Sequence, residues 1–386
     1  MQFMQEQKVL FVFLLIFLLI YSVKQRTALE KKRCIIFLTV VLTLFSGLRS
    51  WYIGDCIHYC NEFVACNVPG WDIAADRTDT IGLQLLYRFA GWTGIGFEGC
   101  LFIIAAFVAI SLGLLVYKYS PSVYWSYIIY LSMGFYIFTF SGLKQTVAMA
   151  FCMLAMIAVF DNKPLRFILF VVLAMMFHIP AIAFIIVYPV AHKKIDWVYF
   201  LLLGMMTGAV FLYRNQIVSW ASEMYYENET AFQQAEGLGG RFLMMLLILG
   251  VGLVLRPLKN GDVKYRKVFN VMILAAIVQT FSVYDNVFTR FADYFYQFII
   301  LFIPMMLQPG EDQAMEQPER KYQIRYYTRQ SYQLIGLCIT VFAVYFYWHT
   351  LGQSSALLAD FHFFWQTTDV DSSMELLQRS IEQWGR

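Results

Sequence analysis

Long apolar runs recur along the whole sequence, and short polar or basic stretches separate them. An α-helix needs about 20 apolar residues to cross the hydrocarbon core of a bilayer, and the runs are close to that length. The composition agrees, because 60% of the 386 residues are hydrophobic and 14% are charged, whereas about 25% of the residues in a soluble protein are charged. The sequence therefore predicts an all-α polytopic membrane protein. The net charge of +3 is too small to indicate binding to nucleic acid.

Ten apolar segments are clear, and a further region, 165–191, contains either one span or two. The ten segments are 9–23, 34–48, 97–117, 123–140, 145–160, 197–213, 241–256, 268–284, 288–307 and 331–348. Lys and Arg concentrate in cytoplasmic loops. The basic cluster between the first two segments therefore places that loop in the cytoplasm and the N-terminus outside.

The region 165–191 has the sequence MMFHIPAI at its centre, at residues 175–182. It is either one kinked span that contains a histidine, or two short spans that meet at a polar tip. From residue 192 onward there are 16 Lys and Arg, and two crossings place 11 of them inside and 5 outside, whereas one crossing inverts these totals. The distribution of basic residues thus favours two crossings. The sequence predicts a short helical hairpin at 165–191 with His178 and Pro180 at its outer tip.

This hairpin brings the prediction to about 12 transmembrane helices, with both termini outside. Its first arm, residues 165–177, would be about 20 Å long, which is shorter than the hydrocarbon core of about 30 Å. The tip would therefore lie in a depression of the outer surface, where a lipid-linked substrate could bind. Residues 1–350 are predicted to form a single integral membrane domain with extracytoplasmic loops at 49–96 and 214–240, and 351–386 a C-terminal tail.

Three cysteines, Cys56, Cys60 and Cys66, cluster in the loop 49–96. If this loop faces an oxidising compartment, one disulfide could form there. Zinc binding is the alternative, because His58 lies among them, but the spacing matches no standard zinc site. No acidic pair or cluster suggests another metal, so we expect neither a metal nor a cofactor.

Several basic residues are predicted to lie outside, although Lys and Arg are normally retained on the cytoplasmic side during membrane insertion. They are Arg49, Arg77, Arg88, Lys144, Arg214, Arg241 and Arg290. Each one taken alone could extend to lipid headgroups or pair with a nearby acid, as Arg290 could with Asp293. Taken as a set, they indicate an anionic ligand, because the planar guanidinium group is suited to phosphate oxygens.

Two further stretches carry polar candidates. In FSGLKQTVAMAF, Lys144 and Gln145 open a span at its outer end, where a helix N-terminus favours anions. In LRSWYIGDCIHYCNEF, three residues fall on one face if the segment is helical, and they are Asp55, Tyr59 and Glu62. Asp55 or His178 could take a proton from an attacking hydroxyl. The structural alternative is a solvated loop face for the first and a helix-capping histidine for the second.

Four motifs together resemble a known family. LRSWYIGDCIHY, SGLKQTVAMAF, LAMMFHIPAIAF and TRFADYF occur in the order and span context of the EpsG/Wzy-like polysaccharide polymerases. Residues Arg49, Gly54, Asp55 and Tyr59 match the first family pattern, and His178 and Arg290 match later ones. Lys144-Gln145 stands where the family has Arg-Gln.

The resemblance implies a bacterial enzyme with a fold like the GT-C class in the cytoplasmic membrane, with its active site facing outside. Such an enzyme polymerises undecaprenyl-diphosphate-linked repeat units without a metal, working with a flippase and a chain-length regulator. In this interpretation Arg49, Lys144 and Arg290 hold the diphosphate, Asp55 or His178 accepts the proton, and Gln145 orients the sugar. The predicted substrate-binding set also contains Tyr59, Arg88 and Arg241.

Other functions remain open from the residues alone. A lipid-linked oligosaccharide flippase or other transporter would also be polytopic, and transporters often show inverted repeats and charges at the midplane. This sequence shows no repeat and its cations gather on one side, which favours an enzyme that faces outward. A membrane acyltransferase that modifies surface polysaccharide could also use a histidine near a membrane face. A ligase of the O-antigen type shares the chemistry and differs in its acceptor.

Overall fold

Regular structure in the described part of the chain is helical, apart from an isolated antiparallel bridge between Arg49 and Phe363. The computed structural model describes residues 2–22, 27–70, 80–194, 197–226, 240–255, 262–284, 286–307, 318–354, 357–358, 361–366 and 372–384. Arg77 and residues 227–239 of the predicted loop 214–240 lie outside these residues, whereas residues 214–226 of that loop are helical. The prediction of an all-α protein is confirmed. The chain divides into two units, residues 1–183 with 337–386, and residues 184–336.

The first unit contains the N-terminal helices and the C-terminal segment. Its helices are α1 (Gln2–Ser22), α2 (Ala28–Gly47), α3 (Cys56–Asn67), α4 (Ile81–Thr93), α5 (Gly96–Tyr119), α6 (Val123–Ser132), α7 (Phe135–Phe138), α8 (Leu143–Phe160), α9 (Pro164–Phe177) and α17 (Ser373–Trp384). The helix α5 packs against α2 and α8, and α8 packs against α9. The loop helices α3 and α4 pack on each other, and α4 also contacts α5 and α9.

The second unit is arranged around one helix. It contains α10 (Val187–Ala191), α11 (Trp197–Tyr226), α12 (Gly240–Leu255), α13 (Val263–Gln279), α14 (Asn286–Tyr296) and α15 (Ile299–Met306). The helix α13 packs against α10, α12, α14 and α15. Its Asn270 is fully buried and donates hydrogen bonds to the carbonyls of Val190 and Lys193, 2.9 and 3.1 Å away. The last long helix, α16 (Pro318–Gln353), contributes residues to both units.

Three described segments are long and apolar enough to cross a membrane: Gly96–Tyr119, Leu143–Phe160 and Leu334–Gln353. Shorter apolar helices include Pro164–Phe177, Ile179–Ala191 and Gly240–Val254. The protein is therefore a helical membrane protein, whereas the number of 12 spans and the resemblance to the GT-C fold stay predictions. Of the three long segments, Leu143–Phe160 is the most enclosed, with 78% of its residues buried.

Two of the predicted spans are not single helices. The segment 123–140 is divided into α6 and α7 at Gly134, whose φ of +81° is a left-handed conformation that a glycine adopts readily. The segment 288–307 is divided into α14 and α15 at Gln297. The Gln297 side-chain amide donates to the carbonyl of Tyr294 at 3.1 Å, and the backbone N–H of Phe298 bonds instead to Phe295. This side-chain bond takes an acceptor that a continuous helix would use.

The region 165–191 is also interrupted, at the predicted residue. The helix α9 ends at Phe177, and His178 has an extended backbone with φ −157° and ψ 107°. A 3-10 helix, Ile179–Ile186, follows it. Two helical segments therefore meet at His178, as expected from Pro180 two residues later, because a proline removes a backbone donor and disfavours a preceding helix. The hairpin and its position at an outer surface stay predictions.

Candidate functional site

The helix α3 carries the polar face that the sequence predicted. Asp55 is the N-cap residue, and its carboxylate is exposed and forms no capping hydrogen bond. The preceding Gly54 has φ +49°, a left-handed turn that brings the chain into the helix. Tyr59 and Glu62 follow at helical spacing on the same face, both partly exposed. The prediction that these residues share one face of a helix is confirmed.

The start of α8 lies against this face. The Lys144 ammonium group is 3.4 Å from the Glu62 carboxylate and 5.5 Å from the centre of the Tyr59 ring. The Lys144 side chain is only 15% exposed. Lys144 is the second residue of a helix whose N-terminus already carries partial positive charge. The positive potential there is offset by Glu62 and by the π-face of Tyr59.

Arg49 holds the loop behind α3 in place. It is 2% exposed, and its guanidinium group donates hydrogen bonds to the carbonyls of Ser46 and of Thr139, the latter at 3.1 Å. The guanidinium carbon lies 5.1 Å from the centre of the Phe140 ring. In this structure Arg49 therefore connects the end of α2 to the segment before α8. Its predicted contact with a diphosphate would require these backbone contacts to open.

Cys56 completes this connection. Its thiol donates to the Phe140 carbonyl at 3.1 Å, and the Arg49 guanidinium lies 3.7 Å from its sulfur. Burial raises the pKa of Cys56, although the positive charge of Arg49 opposes the shift. All seven cysteines of the chain are free thiols. The disulfide considered for Cys56, Cys60 and Cys66 is therefore absent from this structure, in which all three side chains are buried.

Arg88 lies on the neighbouring helix α4, close to the same cluster. The Asn67 side chain fixes α3 to α4 by donating to the Tyr87 carbonyl at 3.1 Å. Burial raises the pKa of Cys66 to about 11; the nearby Glu62 charge adds to this shift and the Arg88 charge opposes it. Glu62 and Arg88 therefore both lie near Cys66. The structure thus brings Arg88 and Lys144 close to Tyr59 and Glu62 on α3, and binding of a substrate by these residues stays a prediction.

His178 lies at the same end of the α8–α9 pair as Lys144. A tight turn at 161–163 joins these helices, so they run antiparallel and the end of α9 is near the beginning of α8. The rings of Phe151 and Phe177 lie 5.7 Å apart. Since Lys144 precedes Phe151 by seven residues, it lies about 10 Å further along the axis than His178. The His178 side chain is partly exposed.

Gln145 faces the interior. It is 5% exposed, and its amide nitrogen lies 3.9 Å from the Met149 sulfur. It therefore does not share the exposed surface of Lys144, and its predicted role in orienting a sugar stays a prediction.

The other predicted cations belong to the second unit. Arg241, at the start of α12, forms a hydrogen-bonded ion pair with Asp293 of α14 and lies 4.3 Å from the centre of the Tyr296 ring. The sequence suggested Arg290 as the partner of Asp293. Arg290 lies one turn before Asp293 on the same helix, and its charge also acts on that carboxylate, so both arginines lie near Asp293. The longer connection to Arg241 could not be read from the sequence, because 52 residues separate the two partners.

Several residues of this region were not in the predicted set. They are Glu62, Cys56, Thr139, Phe140, Glu98 and Ser373. Glu62 was recognised as part of the α3 face, and the spacing of Tyr59 and Glu62 was a usable signal. The others act through backbone carbonyls or contacts between distant segments, for which a single sequence holds no signal.

Comparison with protein families gives a match to the EpsG family over residues 32–363. The matched residues include α3, α8, α9, the second unit and most of the first, and they contain every predicted site residue. Searches of curated proteins and of solved structures each gave no significant match. A match that covers most of the chain establishes the assignment: this membrane protein belongs to the EpsG family.

Proposed function

We propose that the protein is a membrane glycosyltransferase that polymerises undecaprenyl-diphosphate-linked oligosaccharide repeat units on the outer face of the bacterial cytoplasmic membrane. Family membership and the apolar helices support a membrane protein of the polysaccharide-polymerase type. The substrate, the Wzy-type reaction and the outward orientation are parts of the proposal. It involves no metal and no cofactor.

The observation that carries the proposal is the polar cluster of α3 and α8. A cation at a helix N-terminus, Lys144, lies beside a helix face with an exposed carboxylate, Asp55, and an aromatic ring, Tyr59. A leaving diphosphate needs positive charge, and an attacking hydroxyl needs a proton acceptor. Both kinds of group occur within one helix and its neighbour. The aromatic ring adds an apolar surface for a sugar.

In the proposed reaction one glycosidic bond forms and one bond to the diphosphate breaks. A hydroxyl oxygen of one repeat unit attacks the anomeric carbon of the growing chain, and the bond from that carbon to the diphosphate oxygen breaks. Undecaprenyl diphosphate leaves with the bonding electrons, and Lys144 and Arg88 stabilise its negative charge. The hydroxyl proton passes to Asp55 or to His178. Arg49 acts by holding the segment 139–144 against α3.

Arg241 and Arg290 are proposed as substrate-binding residues of the second unit. The Arg290 residue is exposed, whereas Arg241 is partly buried and paired with Asp293. Gln145 keeps its proposed role toward the sugar only through a rearrangement of the start of α8. The proposed partners are the lipid-linked glycan, the bilayer, a flippase and a chain-length regulator.

Reconstitution tests the function directly. The purified protein in lipid vesicles receives a defined undecaprenyl-diphosphate-linked repeat unit, in the presence of EDTA, and the products are separated by size. We expect a ladder of polymer lengths, and loss of the ladder in Asp55→Asn with Asn61→Asp as the matched exposed control on the same helix. Translocated monomer without polymer would indicate a flippase, and acylated monomer an acyltransferase; either result contradicts the proposal.

A further inference from the structure

The C-terminal part of the chain packs on the same region of the first unit as the candidate site. We propose that residues 357–384 form a strap that docks on the loop 49–96, lies on the same side of the membrane as that loop, and positions α3 for the reaction. The strap refers to the described residues 357–358, 361–366 and 372–384. Its positioning role rests on the proposed function, whereas its docking does not.

The first contact of the strap encloses Arg49. The Ser50 N–H donates to the His362 carbonyl at 2.7 Å, and the Phe364 N–H donates to the Leu48 carbonyl at 3.0 Å. Arg49 and Phe363 form the antiparallel bridge between these two bonds. The backbone on both sides of Arg49 is therefore held by the strap. These bonds satisfy polar groups that follow directly after the end of α2.

The second contact is aromatic. Phe361 is 3% exposed, and its ring centre lies 5.3 Å from those of Phe11 and Phe45 and 5.7 Å from that of Phe140. Phe140 also receives the Arg49 guanidinium group. Edge-to-face and stacked rings at this spacing attract each other and fill the interior densely. One buried side chain thus anchors the strap to the ring that supports the cation.

The third contact joins the strap to the beginning of α5. The Ser373 hydroxyl donates to the Glu98 carboxylate and accepts from the Phe97 N–H at 2.9 Å. Ser373 is completely buried, and α17 packs on both α3 and α5. The Glu98 charge adds to the burial that raises the pKa of Cys60. Glu98 therefore lies close to Cys60 on α3, and the Ser373 hydrogen bonds hold α17 next to both α3 and the start of α5.

A fourth contact lies beside the proposed proton acceptor. A methyl group of Leu357 would be 2.6 Å from a Cβ atom at position 54, so the Leu357 side chain of the strap packs directly on Gly54. Asp55 is the next residue. The strap thus touches the chain immediately before α3, along α3, and at Arg49.

These distances also decide the side of the membrane. Hydrogen bonds of 2.7 to 3.0 Å join the strap to the loop 49–96, whereas the hydrocarbon core is about 30 Å thick. The strap and the loop cannot lie on opposite surfaces while these bonds exist. The C-terminal segment is thereby assigned to the same surface as Asp55.

Sidedness is tested on the full-length chain in sealed vesicles of one orientation. In a Cys338→Ala background, which removes the exposed native thiol, the variants Asn61→Cys on α3 and Gln383→Cys on α17 each supply one exposed thiol. We expect a membrane-impermeant maleimide to react with both or with neither from a given side. Reaction of one variant from outside and the other only after lysis would overturn the proposal.

Docking of the strap is tested by removing the Ser373 hydroxyl group in the Cys338→Ala background. Ser373→Ala removes the hydroxyl that joins Glu98 to Phe97, and Ser380→Ala is the matched control, because its hydroxyl donates within α17 to Leu376. The readout is the reaction of the buried native thiols with maleimide. We expect a severalfold faster reaction for Ser373→Ala and parental rates for Ser380→Ala. If Ser373→Ala is poorly produced, Glu98→Gln is used instead, because it weakens the hydrogen bond from Ser373 with little change in side-chain size.

The outcomes separate docking from function. Equal thiol reaction in Ser373→Ala and Ser380→Ala overturns the docking. A more reactive Ser373→Ala protein that still makes polymer of parental length and rate overturns the positioning role. If the parent chain itself makes no polymer, the proposed function fails, and the thiol rates still decide whether the strap docks.

Discussion

The ammonium group of Lys144 lies 3.4 Å from the carboxylate of Glu62, and this pair joins the first turn of α8 to α3. An ion pair that is partly open to solvent contributes about 1 kcal/mol or less to stability. A lysine in the first turn of a helix is also opposed by the helix dipole. The small stabilisation from this ion pair therefore explains poorly why a lysine occupies this position. Binding of an anionic ligand explains it better.

This reasoning predicts the effect of Lys144→Met. Because the variant lacks the positive charge that we propose stabilises the leaving diphosphate, we expect at least a tenfold loss of polymer formation, which corresponds to about 1.4 kcal/mol in the transition state. Lys144→Arg should keep most of the activity, since it retains the charge. The measurement is the rate of polymer formation in reconstituted vesicles, with protein amounts matched.

A charge exchange distinguishes a ligand-binding lysine from a structural one. The double variant Lys144→Glu, Glu62→Lys restores an ion pair between α8 and α3 with reversed charges. We expect it to fold as well as the parent and to remain inactive, because the cation no longer lies at the start of α8. Recovery of parental activity in the exchange variant would show that only the pair matters.

Arg49 is expected to act on stability before it acts on catalysis. Its truncation to alanine leaves the buried carbonyls of Ser46 and Thr139 without their donors, and each unsatisfied buried group costs about 1–3 kcal/mol. We expect Arg49→Ala to lower the thermal unfolding temperature in detergent clearly. The exposed Arg290→Ala is the control and should unfold at the parental temperature. Equal unfolding temperatures for the two variants would contradict the stabilising role of Arg49 between the end of α2 and the segment before α8.

The sequence predicted those features that depend on local spacing. The face of α3 follows from the separation of Asp55, Tyr59 and Glu62, and the helix break follows from Pro180 beside His178. The basic character of the region follows from cations in unusual places. The first two signals lie within about two helical turns, where backbone geometry alone relates the residues; the third comes from the distribution of Lys and Arg along the chain.

The sequence could not predict features that depend on contacts between distant segments. The burial of Arg49 depends on Thr139, which is 90 residues away, and the strap joins Ser373 to Glu98 across 275 residues. The division of 123–140 into two helices depends on the left-handed conformation of Gly134. The apolar character of that segment alone predicts a single span. An apolar run shows that a segment is buried, not that it is continuous.

Gly54 is expected to accommodate a side chain poorly. A Cβ atom there would lie 2.6 Å from Leu357, and the φ of +49° is unfavourable for other residues by about 1–2 kcal/mol. We expect Gly54→Ala to lower both stability and polymer formation. Gly70→Ala is the control, because Gly70 also has a positive φ, +88°, and no atom lies within 4 Å of its added Cβ.

The comparison of these two variants isolates the contact with the strap. The backbone strain is shared, and the contact with Leu357 belongs to Gly54 alone. A further variant, Gly54→Ala with Leu357→Ala, should recover part of the loss by removing the contacting methyl group. Equal thermal stabilities for Gly54→Ala and Gly70→Ala would argue against a close approach of the strap.

His178 is expected to matter for the reaction and little for stability. Its side chain is partly exposed at the end of α9, where truncation creates no large cavity. We expect His178→Ala to reduce polymer formation by about 10²-fold or more, the usual contribution of a general acid or base. His349→Ala, on α16, is the matched control. The rate in vesicles is measured together with the unfolding temperature, and parental activity in His178→Ala would exclude it as the proton acceptor.

The thiol of Cys66 should react with alkylating reagents much more slowly than an exposed thiol at ordinary pH. Its pKa is raised from 9.0 to about 11 by burial, and the thiolate is the reactive form. At pH 8 the thiolate fraction is therefore about 100-fold smaller than for an unshifted thiol. Alkylation in the Cys338→Ala background is measured from pH 7 to pH 10, with Cys66→Ser to identify its contribution. Between pH 9 and pH 11 the unfolded chain loses this proton while the folded chain keeps it, so stability should fall as the pH rises. An alkylation rate at Cys66 that levels off near pH 9 would show that the thiol is solvated and that α3 and α4 do not enclose it.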